Sequence, residues 1–204
     1  MMYLWPQGSS MKSFHKNFGV MTSCQHRGIP LGIQEGRKFG VDNNAYTTGF
    51  IPDKFFSYLE KLTPYMDNCL FIACPDVVGD SRATIKLWDE WVDKIGKPIA
   101  FIAQDGQECL PFPDYDWMFI GGTTEWKMGD GAKKCILRAQ EIDKPVHVGR
   151  VNSLSRFRYF QRLGVYSVDG TSPCFAPDYY KRRYTNAVSQ LDFHNALFGG
   201  DSFS

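Results

Sequence analysis

The chain has 204 residues, 43% hydrophobic and 15% aromatic, and a formal net charge of +1. This is enough to bury one sizeable core in one globular domain, and it excludes a disordered or wholly polyanion-seeking chain. Any contact with a polyanion must therefore come from a local basic patch.

Short apolar runs recur along the whole length. They read as strands at 2–5, 18–23, 38–42, 69–74, 98–104, 117–122, 145–149 and 165–169. The runs are nearly continuous rather than alternating, which predicts a parallel sheet covered on both faces. Helical patterns lie between several of them. In "DSRATIKLWDEWVDKIG" a stripe of Thr84, Leu87, Trp88, Trp91, Val92 and Ile95 opposes the charges, with Gly96 as the stop. "GAKKCILRAQEID" places Ala132, Cys135, Ile136 and Ala139 on one face, and "NSLSRFRYFQRLG" opens on Asn152 as a cap and ends at Gly164. Further helices are expected at 53–66 and from about 178 to 197. The connections 6–17, 24–36 and 105–116 predict loops or single turns. Eight strands with interleaved helices predict a compact (β/α)8 barrel, with some helices shortened or missing, as one domain over 1–204. Residues 177–204 form its C-terminal helix and tail, and "GGDSFS" is expected to fray.

Six scattered cysteines, Cys24, Cys69, Cys74, Cys109, Cys135 and Cys174, form no CxxC pair and have no histidine cluster nearby. This predicts reduced, mostly buried thiols and neither a metal site nor a disulfide framework. No run reaches the roughly 18 apolar residues of a membrane span. "MMYLWPQGSSMK" lacks the order of a signal peptide, so a cytoplasmic location without membrane contact is expected.

In such a barrel, catalytic groups stand at the C-terminal ends of strands. The strand ends here carry Asp42, Asp76, Gln104 with Asp105, Gly121 with Gly122, Gly149, and Asp169. Breaking a glycosidic bond suits this set: one carboxylate traps the cationic sugar while another handles the leaving-group proton. An Asp and a Gln can read the edge of a planar base, and glycine backbone admits a flat ligand. Tyr46 and Trp126 are candidates to stack on it.

The order of these motifs resembles the tRNA-guanine transglycosylase superfamily, and in particular its smaller phage and bacterial DNA-guanine transglycosylases. "DNNAY" at 42–46 resembles the family's "DSGGY", and "CPD" at 74–76 its "SPD". "AQDG" at 103–106 resembles "VQGG", "IGGTTEW" at 120–126 resembles "GGLAVGE", and "GVYSVDGTSP" at 164–173 resembles "GVDMFD" with its following proline loop. The resemblance runs from about residue 2 to 175. It implies a pentosyltransferase, with Asp169 as the nucleophile on C1′ and Asp42 as the general acid and base. It also implies that Asp76, Gln104, Gly121 and Gly122, with Tyr46, bind the base, and that no cofactor is needed. The implied partners are DNA and a free 7-deazaguanine base; a homodimer or accessory protein remains open. Two departures stand out. The Gly-Gly of the first motif is missing, and Cys174 and His194 alone remain where the tRNA enzymes cluster zinc ligands. The latter favours the DNA-acting branch, in a host cytoplasm if the gene is carried by a phage.

Two basic stretches interleaved with aromatics suit a nucleic-acid strand: "RVNSLSRFRYFQR", with Arg150, Arg156, Arg158 and Arg162, and "DYYKRRY", with Lys181, Arg182 and Arg183. A DNA glycosylase that removes a modified base with water would use the same carboxylates. A non-catalytic nucleic-acid-binding barrel is the third reading.

Overall fold

The computed structural model describes residues 1–6, 10–26 and 28–198, with side chains through 188. The tail 199–204 and the side chain of His194 lie outside the described residues. Eight parallel strands close into a barrel in sequence order: β1 (Met2–Trp5), β2 (Phe18–Ser23), β3 (Phe39–Asp42), β4 (Cys69–Ala73), β5 (Ile99–Ala103), β6 (Trp117–Ile120), β7 (Val146–Val148) and β8 (Ser167–Asp169). Closure is made by β1 against β8, where Leu4 pairs with Asp169. The expected (β/α)8 architecture is therefore observed.

Helices α1 (Leu31–Gln34), α2 (Pro52–Leu62), α3 (Ser81–Ile95), α4 (Thr124–Lys127), α5 (Asp130–Glu141), α6 (Leu154–Arg162), α7 (Ser172–Phe175) and α8 (Pro177–Phe198) surround the strands. Asp80 caps α3 by accepting from the Ala83 N–H at 2.9 Å, and Gly96 ends it at φ +78°. The predicted helix 53–66 stops at Leu62 and tightens into a 3-10 stretch over Thr63–Asn68, because Pro64 lacks the N–H that would continue the α-helical ladder. The cap of α6 is Ser153, not Asn152: the Ser153 hydroxyl accepts from the Arg156 N–H at 3.3 Å. Asn152 instead accepts from the N–H groups of Thr171 and Ser172, tying the β7–α6 turn to the β8–α7 turn. The one-turn helices α4 and α7 are too short to show a period in the sequence.

Two connections are covered without a regular helix. Between β1 and β2, Arg37 donates to the carbonyls of Met11, Phe14 and His15, satisfying loop backbone that a helix would otherwise have paired. Tyr184 of α8 stacks on Tyr3 of β1 at 4.3 Å and packs on Phe157 of α6, filling the gap. Of the cysteines, Cys74 and Cys135 are buried, while Cys109 and Cys174 are exposed and the other two intermediate. The expectation of mostly buried thiols is thereby corrected, since two of the six sit in exposed turns and strand-to-helix segments. Among the described residues no helix is long and apolar enough to cross a membrane.

Candidate active site

Alternation along the strands brings the site residues together. Leu4, Met21, Phe71, Ala100, Ile102, Trp117 and Phe119 form a small cluster inside the barrel. His147 belongs with them, its ring 4.7 Å from Phe71 and 4.6 Å from Phe119. Side chains two residues apart on a strand share a face. Gln104 follows Ile102, Gly121 follows Phe119, Gly149 follows His147, Asp169 follows Ser167 and Asp42 follows Gly40, each at this spacing. The carboxylates thus form the top layer of the barrel interior, on the C-terminal rim.

Asp169 is held from below and beside. Its Oδ1 accepts from His147 Nε2 at 3.1 Å and from the Arg150 N–H at 3.2 Å, and among the described residues no donor meets Oδ2. The other ring nitrogen of His147, Nδ1, meets Ser167 Oγ at 2.8 Å. His147 is fully buried, and burial pushes its pKa below the usual value, so it is a neutral imidazole that donates to Asp169 and accepts from Ser167. The side chain of Asp169 is 14% exposed. His147 is absent from the sequence-derived site, although one polar residue in the middle of "PVHVG", in register with Ser167, was its signal.

Asp42 faces the same space. Burial, with the charges of Asp169 and Asp76 adding to it, pushes its pKa up to about 6, against the Asn44 N–H that donates to its Oδ1 at 2.8 Å. Asp76 is likewise raised to about 6 by burial, opposed by its partners Asn43 and Gln104 and by the charge of Arg150. Asn43 Nδ2 donates to Asp76 Oδ1 at 2.8 Å and to the Cys74 carbonyl, and Gln104 Nε2 donates to Asp76 Oδ2 at 2.6 Å. Asn44 takes φ +63°, a left-handed conformation that asparagine tolerates better than most side chains. The two asparagines of "DNNAY" thus bend the chain and brace Asp76, a bracing role the sequence did not assign.

Gln104 is held on every side. Its Oε1 accepts from the N–H groups of Gly79 and Gly122 at 2.9 and 2.8 Å, and it is 1% exposed. Gly121 has to be glycine, since a Cβ there would stand 2.5 Å from Gln104 Nε2. Gly122 differs from its expected role: Gln104 takes its N–H and the Arg150 guanidinium binds its carbonyl, so neither polar group is left for a ligand. For Trp126 the structure takes packing over stacking. Its indole N–H donates to Glu108 at 2.9 Å and its ring lies where Cβ atoms on Gly122 and Gly131 would be, which makes it packing.

Arg150, expected among the residues that meet nucleic acid, sits in the cleft. At φ +59° it turns its N–H onto Asp169, while its guanidinium lies 4.2 Å over the ring of Tyr46, which is 64% exposed. Lys127 pins the same turn, donating from Nζ to the Gly149 carbonyl at 2.6 Å. Burial and the charges of Arg150 and Arg156 lower its pKa to about 7.

Asp42, Asn43, Tyr46, Asp76, Gln104, Arg150 and Asp169 line one cleft of about 430 Å³, counting its open mouth. The other basic candidates stand outside this lining. Arg156 and Arg158 lie on α6. Lys181 donates to Ser13 and covers the Phe14 ring, Arg182 is exposed, and Arg183 binds Tyr179. Among the described residues no group of three His, Cys, Asp or Glu side chains could hold a metal ion. No family model and no curated protein matches the chain.

Proposed function

We propose that the protein is a DNA-guanine transglycosylase, exchanging guanine in DNA for a 7-deazaguanine base through a covalent aspartyl-sugar intermediate. One observation carries this reading: two carboxylates, Asp42 and Asp169, face a single cleft from opposite environments. Asp42 holds its proton up to about pH 6, whereas Asp169 accepts two hydrogen bonds on Oδ1 and lines the same cleft. A carboxyl that keeps its proton, beside a second one anchored through a single oxygen, suits the roles of acid and nucleophile. The resemblance of five strand-end motifs to that family supports the same assignment and supplies the substrate class.

In the first half-reaction Asp169 Oδ2 attacks C1′ as the C1′–N9 bond breaks, and the Asp42 proton passes to the departing nitrogen. In the second, the Asp42 carboxylate takes the proton from the incoming base, whose nitrogen displaces Asp169 from C1′. Glycosidic bonding is conserved throughout, so no external energy source is required. Asp76, braced by Asn43 and Gln104, offers an acceptor to the N–H edge of a guanine-like base, and Tyr46 offers an exposed ring against its face.

The test is incubation with DNA and labelled guanine or candidate deazaguanines, followed by nucleoside mass analysis. Label is expected in DNA with wild type and none with Asp169→Asn, which retains DNA binding. Release of free base without incorporation would mark a hydrolytic glycosylase instead. An Asp169→Asn variant as active as wild type would remove the proposed nucleophile.

A further inference from the structure

Asp42 and Asp169 border more than one hollow. On the side of β2 they also wall a second hollow of about 860 Å³, counting its open mouth, where Thr22, Ser23, Gln25 and His26 contribute to the lining. Gln25 and His26 in turn border a third, of about 960 Å³ on the same measure, whose far side is Thr48, Lys54 and Lys61. The first and second hollows share Asp42 and Asp169, and the second and third share Gln25 and His26, so the three follow one another as the course of a groove.

The chemistry changes along it in the order of a nucleotide's parts. Carboxylates come first, suited to the N–H groups of a base edge. Hydroxyls and an imidazole follow, suited to a sugar. Two ammonium groups end the groove, suited to phosphate. We infer that a single strand of DNA leaves the reacting carboxylates along this groove, over Gln25 and His26, and sets its phosphates on Lys54 and Lys61 of α2.

The geometry of α2 fits the task. Lys54, Tyr58 and Lys61 are spaced by four and three residues and share one helix face. Tyr58 between them is buried, and its hydroxyl is hydrogen-bonded to Thr22 Oγ1 of β2, so that face is fixed against the strand that carries the groove floor. Both lysines are exposed, about 10 Å apart along the axis at about 1.5 Å per residue. Gln25 Nε2 donates to the Thr47 and Thr48 hydroxyls, both at 3.2 Å, and holds together the two loops that bound the third hollow. The charged side chains lining that hollow are both lysines; Asp53 and Glu60, also on α2, stand outside its lining. Arg158 and Arg182, which the sequence put forward as phosphate contacts, line none of the three hollows.

This inference rests on the base-exchange reading of the site, and its test does not need turnover. Binding of a fluorescent single-stranded DNA oligonucleotide would be measured across a salt series for wild type, K54Q/K61Q and R158Q/R182Q. Loss of two phosphate contacts should make the slope of log K against log salt shallower by about 1.4 and weaken binding roughly 10- to 30-fold near 0.1 M salt. The arginine variant should stay within about twofold of wild type. A lysine variant with wild-type affinity and slope overturns the inference and leaves the base-exchange reading standing. Wild-type protein that neither binds DNA nor exchanges base removes that reading, and the inference with it.

Discussion

Asp42 illustrates how a functional carboxylate acts against the stability of its own fold. Its pKa rises from 3.8 to about 6 because burial and two neighbouring carboxylates disfavour the charge. Near pH 4 and below, folded and unfolded chains both keep the proton, and the group is neutral to stability. As the pH climbs to about 6 the unfolded chain releases its proton while the folded chain retains it, so stability falls, and the full penalty stands above that value. Asp42→Asn still offers an oxygen to the Asn44 N–H and should raise the melting temperature at pH 7. The gain should be up to about 3 kcal/mol and should vanish toward pH 4, as thermal unfolding at both pH values would report. The same variant should lose exchange. On the proposed reading, formation of the covalent intermediate in wild type falls about tenfold per pH unit above about 6, because the acid form of Asp42 is required. Single-turnover trapping across pH 5–8 checks this.

At the scale of the element, the turns after the strands matter more than the strands themselves. Asn152 links the turns after β7 and β8, Lys127 and Arg150 lock the β7–α6 turn, and Asn43 and Asn44 shape the turn after β3. The helices could be read because their apolar stripes repeat at helical spacing and their stop signals are local: Gly96 and Gly164 act as the sequence indicates. Asp80→Ala removes the cap of α3 and should cost about 1 kcal/mol, lowering the melting temperature by about 2–4 °C in a chain of this size. Exchange activity below the transition should persist, since Asp80 touches neither carboxylate. Partners far apart in sequence were not readable in the same way. Glu108 holds Trp126 in the wall, which its own stretch could not decide; Asn152 looked like a cap, but its neighbour has the capping geometry.

For the whole molecule, a barrel with a narrow interior fixes what each inward position can hold. Gly40 of β3 faces the Phe71 ring, and a Cβ there would lie 2.5 Å from it. Gly40→Ala should therefore destabilise the fold by about 1–3 kcal/mol, and Phe71→Leu introduced with it should restore part of the loss. Denaturant unfolding of the two single variants and the double variant would reveal this as a favourable coupling. The same crowding seats His147 between Phe71 and Phe119 and aims it at Asp169, so the packing of the core and the orientation of the proposed nucleophile are one problem.

The sequence by itself determined the barrel and most of its rim. Apolar runs of strand length, helical stripes between them and polar residues at the strand ends are local patterns, and period-two alternation from a strand end is enough to turn Asp42, Gln104 and Asp169 inward. Only the tertiary structure decided which polar groups remain open to a ligand. It engaged both ends of the Gln104 amide and the backbone of Gly122, and brought His147 and Arg150 to Asp169. Those outcomes depend on contacts between residues 18 to 36 positions apart, such as Gln104 with Gly122, His147 with Asp169 and Tyr58 with Thr22. Burial and hydrogen-bond partnership are properties of the closed barrel, and no stretch of the chain specifies them alone.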